Sequence, residues 1–92
     1  TNGIIPKEYI LYQNYPNPFN PVTTIKYDIP KSGEVSIKIY DLLGKEIYSL
    51  SEFKVPGSYS LKFDGTNFAS GMYFYRIETG SFVSTKKMVL IK

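Results

Sequence analysis

Apolar residues in this chain recur at every second position, with no run at the three-to-four spacing of a helix. A period of two sends successive side chains to opposite faces of a strand, so one face packs while the other stays wet. Gly, Pro, Asn and Asp interrupt the alternation and divide the chain into short strands. The first is expected as an edge strand, with Tyr9, Leu11, Gln13 and Tyr15 alternating. It must stop at Pro16, Pro18 and Pro21, because none of them can donate a ladder hydrogen bond. Thr23 to Ile29 follows, with Ile25, Tyr27 and Ile29 on one face. After a turn at Pro30 to Gly33, Glu34 to Tyr40 points Val35, Ile37 and Ile39 inward. Asp41 to Lys45 turns the chain, with Gly44 supplying a positive φ, into a short strand from Glu46 to Leu50. Val55 to Ser58 turns again, and Ser58 to Asp64 sets Tyr59, Leu61 and Phe63 on one face. An irregular loop runs from Asp64 to Gly71. A last hairpin turns at Thr79-Gly80-Ser81 and places Tyr73, Tyr75 and Ile77 against Met88 and Leu90. About seven short strands at this spacing predict an all-β, antiparallel β-sandwich, with a small barrel as the structural alternative.

The chain has 92 residues, enough for one domain with a thin core. Residues 1–8 read as a linker from an upstream domain, and 9–92 as the sandwich; the start without Met reads as a piece of something longer. Apolar residues make up 42% and aromatics 16%, too much for a disordered tail. There is no Cys and no His, which removes thiol chemistry, the commonest general base and the commonest transition-metal ligand. Asp28, Glu34, Asp41, Glu46 and Asp64 fall on outward faces or turns, where no apolar pocket would raise a carboxyl pKa. Neither an enzyme nor a cofactor is expected. The net charge of +3 comes from scattered lysines with Arg76 as the one arginine, unlike the concentrated basic face of a nucleic-acid binder. No run approaches the roughly 20 apolar residues that a membrane-spanning helix needs, so membrane insertion is not expected.

Four segments carry more than patterning. In Gln13 to Pro21, the prolines fix a rigid corner, Asn17 and Asn20 cap its turns, and Phe19 is expected to plug the end of the core. In Tyr40 to Glu46, Leu42 and Leu43 sit at a hairpin tip and are expected to fold over the end of the sandwich. In Phe63 to Gly71, Asp64, Thr66 and Asn67 offer oxygens to a calcium ion. One carboxylate makes a poor cage, and an Asx-type turn accounts for them better. In Gly71 to Lys92, the chain's last residues belong to an apolar hairpin, with Gly71 read as a turn glycine. A terminal edge strand offers unpaired backbone groups to a partner strand, and Lys86, Lys87 and Lys92 either steer docking or merely keep the edge soluble.

These segments, in this order, closely resemble the type A C-terminal sorting domain of type IX secretion cargo. The resemblance runs through Tyr9 to Pro21 and Thr23-Thr24-Ile25, then Val35 to Glu46 with Asp41 and Gly44, then Asp64-Gly65, Ala69 to Arg76, and Thr85 to Ile91. Phe63 stands where the family often has Trp. The resemblance implies an immunoglobulin-like sandwich at the end of an unrelated cargo protein. Such cargo passes through the periplasm, is recognised by the outer-membrane type IX translocon, and reaches the cell surface or the medium. A sortase-like peptidase commonly removes the domain. Recognition is implied for the final hairpin, here Gly71, Tyr73, Arg76, Lys86, Lys87, Met88, Val89, Leu90, Ile91 and Lys92. Asn17, Pro18, Phe19, Asn20, Pro21, Asp41, Gly44, Asp64 and Gly65 are structural motif positions. A monomer is expected. The competing reading is a non-catalytic binding or adhesion module, for carbohydrate or a cell surface, using Tyr12, Tyr40 and Tyr48 as an exposed aromatic platform.

Overall fold

In the computed structural model, which describes residues 5–92, the regular elements are strands. They are β1 (Ile10–Leu11), β2 (Val22–Ile29), β3 (Gly33–Tyr40), β4 (Glu46–Lys54), β5 (Gly57–Asp64), β6 (Gly71–Thr79) and β7 (Phe82–Leu90). All pair antiparallel, in a three-stranded sheet ordered β1-β2-β5 and a four-stranded sheet ordered β4-β3-β6-β7. This is the antiparallel sandwich the alternation predicts, of the immunoglobulin-like kind the resemblance implies. Residues 1–4 of the expected linker lie outside the described residues.

The core is the inward half of each alternation. Ile25, Tyr27 and Ile29 from β2 join Val35, Ile37 and Ile39 from β3, Tyr73, Tyr75 and Ile77 from β6, and Met88 and Leu90 from β7. The β3–β4 and β6–β7 turns return within one sheet, whereas Pro30–Ser32, Val55–Pro56 and residues 65–70 carry the chain across to the other.

Two strands depart from expectation. β1 pairs only at Ile10–Leu11, and the alternation expected to continue through Gln13 and Tyr15 slips. Asn14 turns into the interior, Gln13 is exposed, and Tyr15 is 81% exposed, keeping only an isolated bridge to Thr24. The slip has a cause in hydrogen bonding, since the interior offers Asn14 partners that Tyr15 would not use. β4 extends past Leu50 to Lys54, because β3 supplies ladder partners down to Gly33. Its Ser51–Lys54 half buries little apolar surface, so alternation gave no sign of it.

The prolines, whose bonds Tyr15–Pro16, Asn17–Pro18 and Asn20–Pro21 are cis, deliver Phe19 to the sandwich end. Its ring is 1% exposed and meets Phe63 edge-on, with centroids 6.1 Å apart. Phe19 is more than a plug, because its backbone pairs parallel with β7. Its N–H donates to the Val89 carbonyl and its carbonyl accepts from the Ile91 N–H, both at 2.9 Å. Gly65 lies beneath it, and a Cβ there would sit 3.0 Å from Leu90 Cδ2, 3.3 Å from the Phe19 ring and 3.3 Å from the Pro21 carbonyl oxygen. A methyl has no room, and the Gly65 N–H already donates to that carbonyl at 2.7 Å.

Removing the Phe19 ring leaves a cavity where both sheets meet. Phe19→Ala is expected to cost about 3–5 kcal/mol in urea denaturation, and Gly65→Ala about 1–3 kcal/mol through overpacking. A Phe19→Ala midpoint within error of the parent would show that the corner is not part of the core.

Candidate functional site

The β6–β7 hairpin follows from its alternation. Tyr73, Tyr75, Ile77, Met88 and Leu90 are buried, and the strands pair from Gly71↔Leu90 to Thr79↔Phe82. Of the residues expected to be recognised, Tyr73, Met88 and Leu90 therefore belong to the core and offer no free side chain to a partner. The Tyr73 hydroxyl donates to the Ala69 carbonyl at 2.6 Å, tying the hairpin to the preceding loop. Gly71 begins β6 with open space around it, yet at φ +152°, so its requirement is conformational rather than steric.

The remaining predicted residues, Lys86 excepted, face outward or along the edge, and Lys86 shares its face of β7 with Met88 and Leu90. Arg76 lies on the outer face between Lys38 of β3 and Thr85 of β7, with Nη2 2.8 Å from Glu78 Oε2 and a buried Nε that has no partner among the described residues. Lys87 is exposed and Lys86 half-buried, and neither pairs with a carboxylate among the described residues. Lys92 closes on the β5–β6 loop, its N–H on Ser70 Oγ and its ammonium on the Thr66 carbonyl. Ile91 is exposed.

β7 is an outer strand of its sheet, but half of its edge is occupied. The corner covers it: Gln13 Nε2 donates to the Lys87 carbonyl at 2.7 Å, and Asn17 Oδ1 accepts the Val89 N–H at 3.0 Å. The Phe19 backbone completes the cap at Val89 and Ile91. The edge expected to be open throughout is thus closed at its far end. Toward the turn, the edge-facing backbone groups of Val83 and Thr85 and the Lys87 N–H have no partner among the described residues. At the boundary, Met72 and Val89 floor a shallow hollow rimmed by Gln13, Asn17, Lys86 and Lys87.

A buried polar cluster holds the cap in place. The Tyr75 hydroxyl donates to the Tyr12 carbonyl and accepts the Asn14 N–H, both at 2.7 Å. The Asn14 amide donates to Thr23 Oγ1 at 2.9 Å and to the Pro16 carbonyl at 3.2 Å, and Thr23 Oγ1 donates to the same carbonyl at 2.8 Å. Gln13 was expected only as part of the first strand's alternation, and Asn14 and Thr23 were given no role of their own from sequence. Period-two patterning carries no signal for Asn14, which falls on the face opposite Tyr9, Leu11, Gln13 and Tyr15. Burial pushes the Tyr75 hydroxyl up to about 12, partly offset by the Asn14 N–H, and burial also raises Tyr27.

The other motif positions are structural. Asp41 Oδ1 accepts the N–H groups of Leu43 and Lys45, at 3.0 and 2.9 Å, and Gly44 turns at φ +87°. This locked turn holds Leu42 and Leu43 away from the body, 65% and 94% exposed, rather than folded over the sandwich end. Asp64 Oδ1 takes the Thr66 N–H at 2.9 Å and the Thr66 hydroxyl, an Asx-type turn whose bonds hold the Asp64 carboxyl below its ordinary pKa. The aromatic platform does not assemble. Tyr12 lies on the three-stranded sheet bonded to Asp28, Tyr40 on the four-stranded one, and Tyr48 turns inward to meet Phe63 edge-on at 6.0 Å.

Residues 13–92 match the model of a family described as the secretion system C-terminal sorting domain. No curated protein matches the chain. Among solved structures, dimeric latent PorU from Porphyromonas gingivalis is similar at a TM-score of 0.72 and 23% identity, over 97% of this chain and 10% of PorU. This chain thus spans a tenth of that protein's length. CopC from Methylosinus trichosporium OB3b is similar at a TM-score of 0.52 and 18% identity, over 90% of this chain and 91% of CopC. At these identities both support the sandwich fold alone.

A tyrosine whose pKa is raised on folding favours its neutral form in the fold. Its contribution is complete below the unfolded value of 10.0 and is lost as pH climbs toward about 12. Tyr75→Phe is expected to be less stable near neutrality by about 1–3 kcal/mol, because the Asn14 N–H loses its acceptor. It is also expected to lose stability less steeply across that alkaline window. Urea midpoints against pH decide it, and parallel slopes for parent and variant would contradict the assignment.

Proposed function

From the chain's membership of the secretion system C-terminal sorting domain family, the signal that type IX cargo carries for export to the cell surface or beyond, we propose that the translocon reads it as a folded unit through the β6–β7 hairpin. The observation that carries this is the hairpin's double character. Its inward residues complete the core, while its outer strand carries backbone groups and two lysines that have no partner among the described residues. A partner reading that strand therefore reads a finished sandwich. The cargo lies upstream of residues 1–8, transits the periplasm, and is separated from the domain by a sortase-like peptidase. The domain acts as a monomer, inserts into no membrane and binds no nucleic acid. A sorting signal of this kind is generally non-catalytic. Separation of Tyr12, Tyr40 and Tyr48 onto different surfaces weighs against a carbohydrate platform.

A periplasm-directed fluorescent protein fused ahead of Thr1–Lys92 tests this in a bacterium with and without a working type IX translocon. Fluorescence at the surface or in the medium is expected only when both domain and translocon are present. Fluorescence retained in the periplasm, with the domain folded, would refute autonomous sorting. Deleting Met88–Lys92 removes two core side chains and both backbone partners of Phe19. The shortened fusion is expected to lose cooperative unfolding and to stay inside the cell; normal export would refute recognition of the folded hairpin.

A further inference from the structure

The cap does more than protect an edge: it divides β7 into a closed part and an open part. Strands present their N–H and C=O to alternate sides, and the bonds at Lys87 and Val89 reveal which residues of β7 face outward. Val83 and Thr85 share that orientation, so their N–H and C=O and the Lys87 N–H form a ladder with no partner among the described residues. The stretch is Val83–Lys87. Past it, Gln13, Asn17 and Phe19 occupy the position of a fifth strand. An added strand must therefore be short, and it must stop where the cap begins.

The side chains along this open stretch are asymmetric. Near the turn they are apolar: Val83 is exposed, and Phe82 stacks on Tyr9 with centroids 5.2 Å apart. At the cap end stand Lys86 and Lys87, one on each face of β7, without a carboxylate partner among the described residues. Beside them is the Met72–Val89 hollow. Two like charges flanking an open ladder oppose a second copy of the same edge and favour a strand with acidic residues there.

We propose that Val83–Lys87 receives one short extended segment of the export machinery by strand addition, with acidic side chains at the end that meets Lys86 and Lys87, and that the Gln13–Phe19 cap sets its register. This rests on the sorting role and specifies the partner's chemistry at the hairpin. It separates backbone recognition, supplied by the open ladder, from polarity, supplied by the lysines.

Thr85→Pro tests the ladder, because it deletes an N–H that faces away from β6, a position where an edge strand tolerates proline. Thr85→Val keeps the amide and the strand preference. Lys86→Glu/Lys87→Glu reverses the charge, and Lys31→Glu/Lys62→Glu applies the same change on exposed positions elsewhere. Each is measured in the export fusion and by thermal unfolding of the same chain. The expected result is unfolding near the parent's for all four. Export should fall at least about tenfold for Thr85→Pro and several-fold for the β7 charge reversal, fall far less for Thr85→Val than for Thr85→Pro, and stay unchanged for the distant reversal. A Thr85→Pro fusion that melts and exports like the parent overturns strand addition and leaves the sorting role standing. Equal losses from both charge reversals overturn the acidic partner. A parent fusion that fails to export overturns the sorting role and this proposal with it. Amide hydrogen exchange adds a test independent of export, since Val83, Thr85 and Lys87 are expected to exchange rapidly in the free domain. Protection of those amides in a monomeric domain would show the edge already covered, and a dimer in solution that protects them would make a second copy the occupant; either result refutes the proposal.

Discussion

Two backbone hydrogen bonds at Phe19 hold this molecule's arrangement together. They join the proline corner to the end of β7, and the corner is itself anchored on β2 through Asn14 and Thr23. The two sheets are therefore linked by a directional clamp as well as by apolar contact. Hydrophobic packing is non-directional and would tolerate some sliding of one sheet over the other. A parallel bridge, a buried amide and a tyrosine hydroxyl bonded on both sides leave little such freedom. Gly65 permits the close approach, and the Tyr75 hydroxyl satisfies an N–H that would otherwise be buried without a partner.

The strands were legible because each half-buried strand writes its inward face as alternate apolar residues. Val35, Ile37 and Ile39, or Tyr73, Tyr75 and Ile77, give both element and orientation. Legibility failed wherever something other than side-chain burial set the structure. The second half of β4 is held by ladder bonds to β3, and its composition of Ser, Glu and an exposed Phe carries no inward stripe. Tyr15 gave way to Asn14 because a hydrogen-bonding opportunity outweighed the burial of a ring. Leu42 and Leu43 stayed exposed because Asp41 takes two turn N–H groups and fixes the turn's direction. Tyr48 turned inward beside an aromatic, Phe63, from a different sheet, a neighbour that alternation cannot anticipate.

The candidate site was legible in the same uneven way. Resemblance and patterning drew attention to the last hairpin, and the lysines, Arg76 and Gly71 fall where they can shape its surface and backbone. The division of the β7 edge was not legible. Gln13 reaches Lys87 across 74 positions and Asn17 reaches Val89 across 72, so no local window holds both partners. Sequence showed that Asn17 and Phe19 were unusual, and only the fold showed what they grip.

Those separations also impose an order in time. A clamp whose halves lie near opposite ends of the domain closes only after nearly every intervening residue exists, and non-local closure is slow compared with local pairing. A chain delivered from its N-terminal end must hold its corner open until β7 arrives. Completion of the fold and appearance of the capped edge are then one event, because the cap exists only once β7 has paired with the corner.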